Sequence, residues 1–147
     1  MTTEQRDSKG TTEIVAEEIE PAYSFSPDVV AALGLSMPVV VGDRLCEAAV
    51  AKLNADDGWR SMSYKELRKL FRDNCAEQDG YLLPQAPLLE TVVRMLLSAK
   101  RDNMSLSEIH TQVSDLWITS PWPRHISIES MQRVLDNSVT YGIVRVA

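Results

Sequence analysis

Apolar positions recur at helical spacing in several separate stretches of this chain, and a serine precedes most of them where a helix cap belongs. In "SFSPDVVAALGL", Ser26 stands before Pro27, whose fixed φ suits a first helical position, and Gly34 marks a stop about two turns on. Through "DRLCEAAVAKLN", Leu45, Ala48, Ala49 and Leu53 form a stripe that predicts a helix from Asp43 to the polar "ADDG", with Trp59 as a lid on the first helical pair. "MSYKELRKLF" follows. Ser63 and Glu66 have capping-box spacing, in which hydroxyl and carboxylate each satisfy an orphan backbone N–H, and Tyr64, Leu67, Leu70 and Phe71 share one face.

The same logic returns 42 residues later in "MSLSEIHTQV". "APLLETVVRMLLSAKRDN" predicts a helix burying Leu88, Leu89, Val92, Met95 and Leu96, broken at the polar "KRDN". Ser105 and Glu108 form a second capping box, with Leu106, Ile109, Val113 and Leu116 behind it. A helix, a polar turn and a capped helix are thus used twice. Two prolines keep "WITSPWPRH" out of a helix. Ser127 then caps "IESMQRVLDNS", whose apolar face is Ile128, Met131, Leu135 and Val139, before Tyr141-Gly142 ends it. "IVRV" predicts a closing strand, and the β-branched "MPVVVGD" and the "GYLL" at 80–83 are further strand candidates.

The expected fold is mainly α with short β-strands, in three segments. Residues 1–24 form an acidic tail without periodicity, expected to be disordered. Residues 25–82 form an N-terminal helical unit, and residues 83–147 a three-helix unit closed by a strand. The order "VVRMLLSAKRDNMSLSEIHTQVSDLW", then "PWP", resembles the forkhead type of winged-helix domain over residues 86–147. The N-terminal unit then reads as a related copy, a tandem winged-helix repeat. The resemblance implies a third helix that enters the major groove, with Gln132, Arg133 and Asn137 able to read base edges beside Glu129 and Asp136.

Composition narrows the class. The net charge of −6 is concentrated in residues 1–42, which hold two basic and seven acidic side chains, so the rest of the chain is nearly neutral and an anionic partner is not excluded. No apolar run is long enough to span a bilayer, and the N-terminal residues lack a secretory pattern, so a cytoplasmic chain, or a nuclear one in a eukaryote, is expected. Cys46 and Cys75 have neither CxxC nor zinc-finger spacing and read as two reduced thiols.

Catalytic chemistry has little to work with. His110 and His125 are the only imidazoles, and no nucleotide-binding glycine loop or HExxH sequence is present, so neither an enzyme nor a cofactor is expected. Binding is the better class. Lys65, Arg68, Lys69 and Arg72 recur at i, i+3, i+4 and i+7, which predicts one cationic helix face opposite Leu67, Leu70 and Phe71, and Arg60 lies just before it. Such a stripe suits a phosphate backbone, because each neutralised phosphate releases counterions. The alternative is a protein-binding adaptor using Trp117, Trp122 and Arg124 in the proline-rich connection. Glu17, Glu18 and Glu20 are expected to fold back on the stripe and compete with a polyanion.

Overall fold

The computed structural model describes residues 20–53, 58–78 and 80–147. The chain enters as strand β1 (Ala22–Phe25), in which Tyr23 and Phe25 alternate inward to burial. β1 is the middle of a three-stranded antiparallel sheet, flanked by β2 (Met104–Ser105) and β3 (Ile143–Arg145). Tyr23 faces Met104 on one side and Arg145 on the other. Strands this short need tethering at their ends. Leu106 N–H donates to the Pro21 carbonyl at 2.8 Å, Val146 N–H to Ala22 at 2.8 Å, and Ser26 N–H to Gly142 at 2.7 Å. The expectation of a disordered tail to residue 24 is thereby corrected over residues 20–24, whereas residues 1–19 lie outside the described residues.

Helix α1 (Pro27–Ala32) has the Ser26 cap and the proline start that its sequence predicts. The Val39–Val41 run is not a strand. It lies in α2 (Met37–Gly42), because the Ser36 hydroxyl accepts from Val39 N–H and Pro38 stands in the first turn, and these caps override the β-propensity of three valines. The helix expected from Asp43 is reduced to the single turn α3 (Glu47–Val50). Two tertiary bonds interrupt it: the Tyr81 hydroxyl donates to the Arg44 carbonyl at 2.7 Å, and Cys46 N–H donates to Cys75 Sγ at 3.2 Å.

A 3-10 turn over Gly58–Ser61 leads to α4 (Tyr64–Leu70), whose Ser63–Glu66 capping box is complete. A π-helical turn over Phe71–Cys75 continues α4, with Ala76 N–H reaching back to the Phe71 carbonyl at 3.0 Å. "GYLL" is a turn rather than a strand. Gly80 has φ of +80°, and Tyr81 is drawn into the core under the Arg94 guanidinium, 5.1 Å from its ring centroid.

The second half follows its pattern closely: α5 (Leu88–Ser98), α6 (Leu106–Trp117) with the Ser105–Glu108 box, and α7 (Ile128–Asp136) capped by Ser127. α7 stops before Val139, which sits half-exposed in a 3-10 turn over Val139–Tyr141. Gly142 then adopts φ of +80°, and a Cβ there would come within 2.7 Å of the Phe25 ring. The molecule is mainly helical with one small sheet. A single hydrophobic cluster draws Val30, Val41, Leu67, Phe71 and Cys75 from one side of the 82/83 boundary and Val92, Leu97, Ile109, Val113 and Met131 from the other.

Candidate nucleic-acid interface

The apolar positions of α4 fix where its cations go. Leu67 and Phe71 are fully buried, and the Tyr64 ring stacks on Phe25 with centroids 5.8 Å apart. This orientation arranges Tyr64, Lys65, Arg68, Lys69 and Arg72, with Asp73 and Asp102, around an open cleft of about 520 Å³. Cations therefore outnumber carboxylates on its walls. Burial pushes the Tyr64 hydroxyl above its ordinary range, opposed by the neighbouring Arg68.

The four cations do not all face solvent as their spacing predicts. Arg68 is only 7% exposed, and its Nη2 donates to the carbonyls of Ala99 at 2.9 Å and Arg101 at 3.1 Å. Arg72 donates through Nε to the same Ala99 carbonyl at 3.2 Å and pairs with Asp102 at 3.2 Å. The cause is the end of α5. Ala99 turns extended after Ser98, which leaves the carbonyls of Ala99 and Arg101 outside the helix and without backbone partners among the described residues, and the two guanidiniums supply donors to them. Lys69 is exposed and pairs with Asp73 at 2.7 Å, a bond that holds the Asp73 carboxyl below its usual range. Lys65 is exposed and has no ion-pair partner among the described residues. Arg60 is exposed too, its guanidinium 4.9 Å from the Trp59 ring centroid, and Trp59 itself packs over Gly42.

The implied base-reading residues lie apart from this cleft, on α7, which packs against α6 and β3 while α4 packs against α2. Arg133 and Asn137 are exposed and Gln132 is half-buried. The Asn137 amide donates to the Arg133 carbonyl at 2.7 Å, and Arg133 Nη2 donates to the Ser130 hydroxyl at 3.2 Å. Asp136 is committed elsewhere: it accepts from the buried Tyr23 hydroxyl at 2.6 Å and pairs with Arg145 at 3.5 Å, which ties α7 to the sheet.

Of the three residues expected in the proline-rich connection, Trp117 instead ends α6, and Trp122 and Arg124 lie beyond it. Trp117 is buried, capped by the Arg124 guanidinium 4.0 Å from its ring centroid, and Arg124 in turn donates to the carbonyls of Pro84 at 2.9 Å and Ala86 at 2.8 Å. Trp122 is 83% exposed, and Ile118 nearby in sequence is 72% exposed. His110 Nε2 is 2.8 Å from the Ile126 carbonyl. Glu20 does not fold back on the stripe; its carboxylate accepts from Ser107 N–H at 2.7 Å in the first turn of α6. Glu17 and Glu18 lie outside the described residues.

Sequence reasoning missed Asp102 on the cleft wall and the Ala99 and Arg101 carbonyls that hold Arg68. The only available signal was the polar "KRDN" break that ends α5. Among the described residues no helix is long and apolar enough to cross a membrane, and no three His, Cys, Asp or Glu side chains cluster as a metal site. Comparison with family models, curated proteins and solved structures finds no match.

Proposed function

We propose that this chain is a nucleic-acid-binding regulatory protein, without catalytic activity, whose phosphate contacts lie along the α4 cleft. Lys65 and Lys69 on the cleft, and Arg60 in the turn before α4, are the phosphate ligands, Arg72 is shared between phosphate and Asp102, and Arg68 holds the cleft wall in place. The observation that carries the reading is the cleft itself, where exposed Lys65 and Lys69 stand beside Arg68 and Arg72, whose guanidiniums are fixed on backbone carbonyls, so four cations meet two carboxylates on one surface. The three helices α5 to α7 with their small antiparallel sheet support the winged-helix reading, and β1 occupies the place beside β3 that a returning wing strand would take. In that reading Gln132, Arg133 and Asn137 contact base edges from α7. The test is fluorescence anisotropy with a labelled DNA duplex at ~50 mM salt, where K65E/K69E should weaken binding at least tenfold. Equal binding by wild type and K65E/K69E overturns it.

A second reading rests on Trp122. Trp122, 83% exposed and four positions after the 72% exposed Ile118, is an anchor of the kind protein partners bury, and it supports an adaptor that binds protein instead of nucleic acid. Absence of duplex binding at ~50 mM salt selects this reading.

A further inference from the structure

Cys46 and Cys75, separated by 29 positions in sequence, meet in the fold with Sγ atoms 2.6 Å apart. A disulfide bond is about 2.05 Å long, so little movement separates the two thiols from a bond. We infer that Cys46 and Cys75 form a reversible thiol–disulfide couple, a modification site that cross-links α3 to the π-helical turn after α4.

Three features carry this. The backbone brings the two together: Cys46 N–H donates to Cys75 Sγ at 3.2 Å, and Cys46 Sγ lies 3.5 Å from the Asn74 carbonyl. Access is one-sided. Cys75 is fully buried, whereas Cys46 is half-exposed and lines an open groove of about 320 Å³ with Leu45, Glu47, Gln78, Tyr81 and Arg94. The third is the π-helical turn, which adds a residue to the end of α4 and rotates Cys75 toward α3. Burial, together with the bond to Cys46, pushes the Cys75 thiol up, and only Cys46 is reached from the groove, so Cys46 reacts first and Cys75 resolves.

The oxidant class is a low-molecular-weight disulfide, with oxidised glutathione as the probe. Cys46 thiolate attacks one glutathione sulfur, forms a mixed disulfide and releases one glutathione thiolate. The Cys75 sulfur then attacks the Cys46 sulfur, breaking the mixed disulfide and releasing the second glutathione. Two protein thiols are oxidised, one glutathione disulfide is reduced to two glutathione thiols, and the two protons end on them. The loop so closed contains Arg60, Lys65, Arg68, Lys69 and Arg72, so the couple sets the covalent state of the segment that forms the cleft. It stands whether or not that cleft binds a nucleic acid.

The test uses the full wild-type chain in glutathione redox buffers of graded ratio, acid-quenched, alkylated and read by mass spectrometry. The expected product is a monomer lighter by two hydrogens, with the Cys46 and Cys75 peptides linked, reversed by dithiothreitol, and with a melting temperature higher by about 5–10 °C. C75S should instead retain a single glutathione adduct at Cys46. A wild-type chain that keeps that adduct while Cys75 remains alkylatable, that leaves both thiols free in oxidised glutathione, or that forms a disulfide-linked dimer overturns the inference.

Discussion

Replacing Arg68 separates a structural cation from a binding one. The residue is 7% exposed, and its guanidinium makes two bonds to carbonyls, those of Ala99 and Arg101. A hydrogen bond to a charged donor contributes ~1.5–3 kcal/mol. Truncation to alanine does not lose that in full at either acceptor. Arg101 is exposed, so water replaces the lost donor, and Ala99 keeps its bond from Arg72 Nε. Releasing a charge from a buried site offsets a further part, while losing the aliphatic stem against the α5 end adds to the cost. The balance is about 2–3 kcal/mol, or roughly 5–10 °C in melting temperature for a chain of this size. R68K keeps the charge without the fork and should lose about half as much. K65A, at an exposed position, should stay within ~0.5 kcal/mol of wild type. Urea unfolding followed by far-UV circular dichroism, with unchanged m values, reads all three. If R68A is as stable as K65A, the guanidinium is not holding the α5 end and the reasoning fails.

Further outcomes follow from burial and charge. Burial pushes the hydroxyls of Tyr23, Tyr64 and Tyr81 above their ordinary range, so the fold favours their neutral forms. The unfolded chain loses these protons from about pH 10, so stability is full below that pH and falls as pH rises beyond it; Y23F should flatten the decline in thermal melts, and an unchanged slope counts against it. Burial alone would raise Glu90, but the Arg44 and Arg94 guanidiniums outweigh it and hold the carboxyl below its usual range. The stability this gives is present above the ordinary carboxylate pKa and is lost as pH falls through the depressed one, so E90Q should be less stable at pH 7 and lose less on acidification. A Cβ at Gly42 collides with the Trp59 ring, so G42A should cost about 1–3 kcal/mol and shift the tryptophan emission; wild-type stability and emission would show that the ring does not pack there.

Local signals were legible and non-local ones were not. The Ser26, Ser63, Ser105 and Ser127 caps depend on neighbours within one turn, and each was readable from spacing. The Ser36–Pro38 start of α2 is equally local, but three consecutive valines carry a competing β-propensity. β1 offers a single period-2 alternation, Tyr23 then Phe25, too short to stand out in sequence, and its strand identity comes from β2 and β3, which are distant in the chain. The cleft was legible as a set of cations sharing a helix face. That Arg68 turns to the end of α5 was not, since i, i+3, i+4, i+7 spacing names a face without saying what lies against it. Trp117 and Trp122 looked alike within "WITSPW". Burial separates them: Trp117 ends the face of α6 that buries Leu106, Ile109 and Val113, with Arg124 held over its ring by the Pro84 and Ala86 carbonyls, whereas Trp122 lies beyond the helix.

The salt dependence of duplex binding tests the central claim most directly. With Arg68 committed to carbonyls and Arg72 shared with Asp102, the exposed cations are Lys65, Arg60 and Lys69, the last exchanging its Asp73 partner for phosphate, so log affinity against log salt should have a slope of about −2 to −3. K65A/K69A should reduce that slope by roughly two while leaving unfolding unchanged. No binding at ~50 mM salt, or a slope that the double substitution does not alter, contradicts the account.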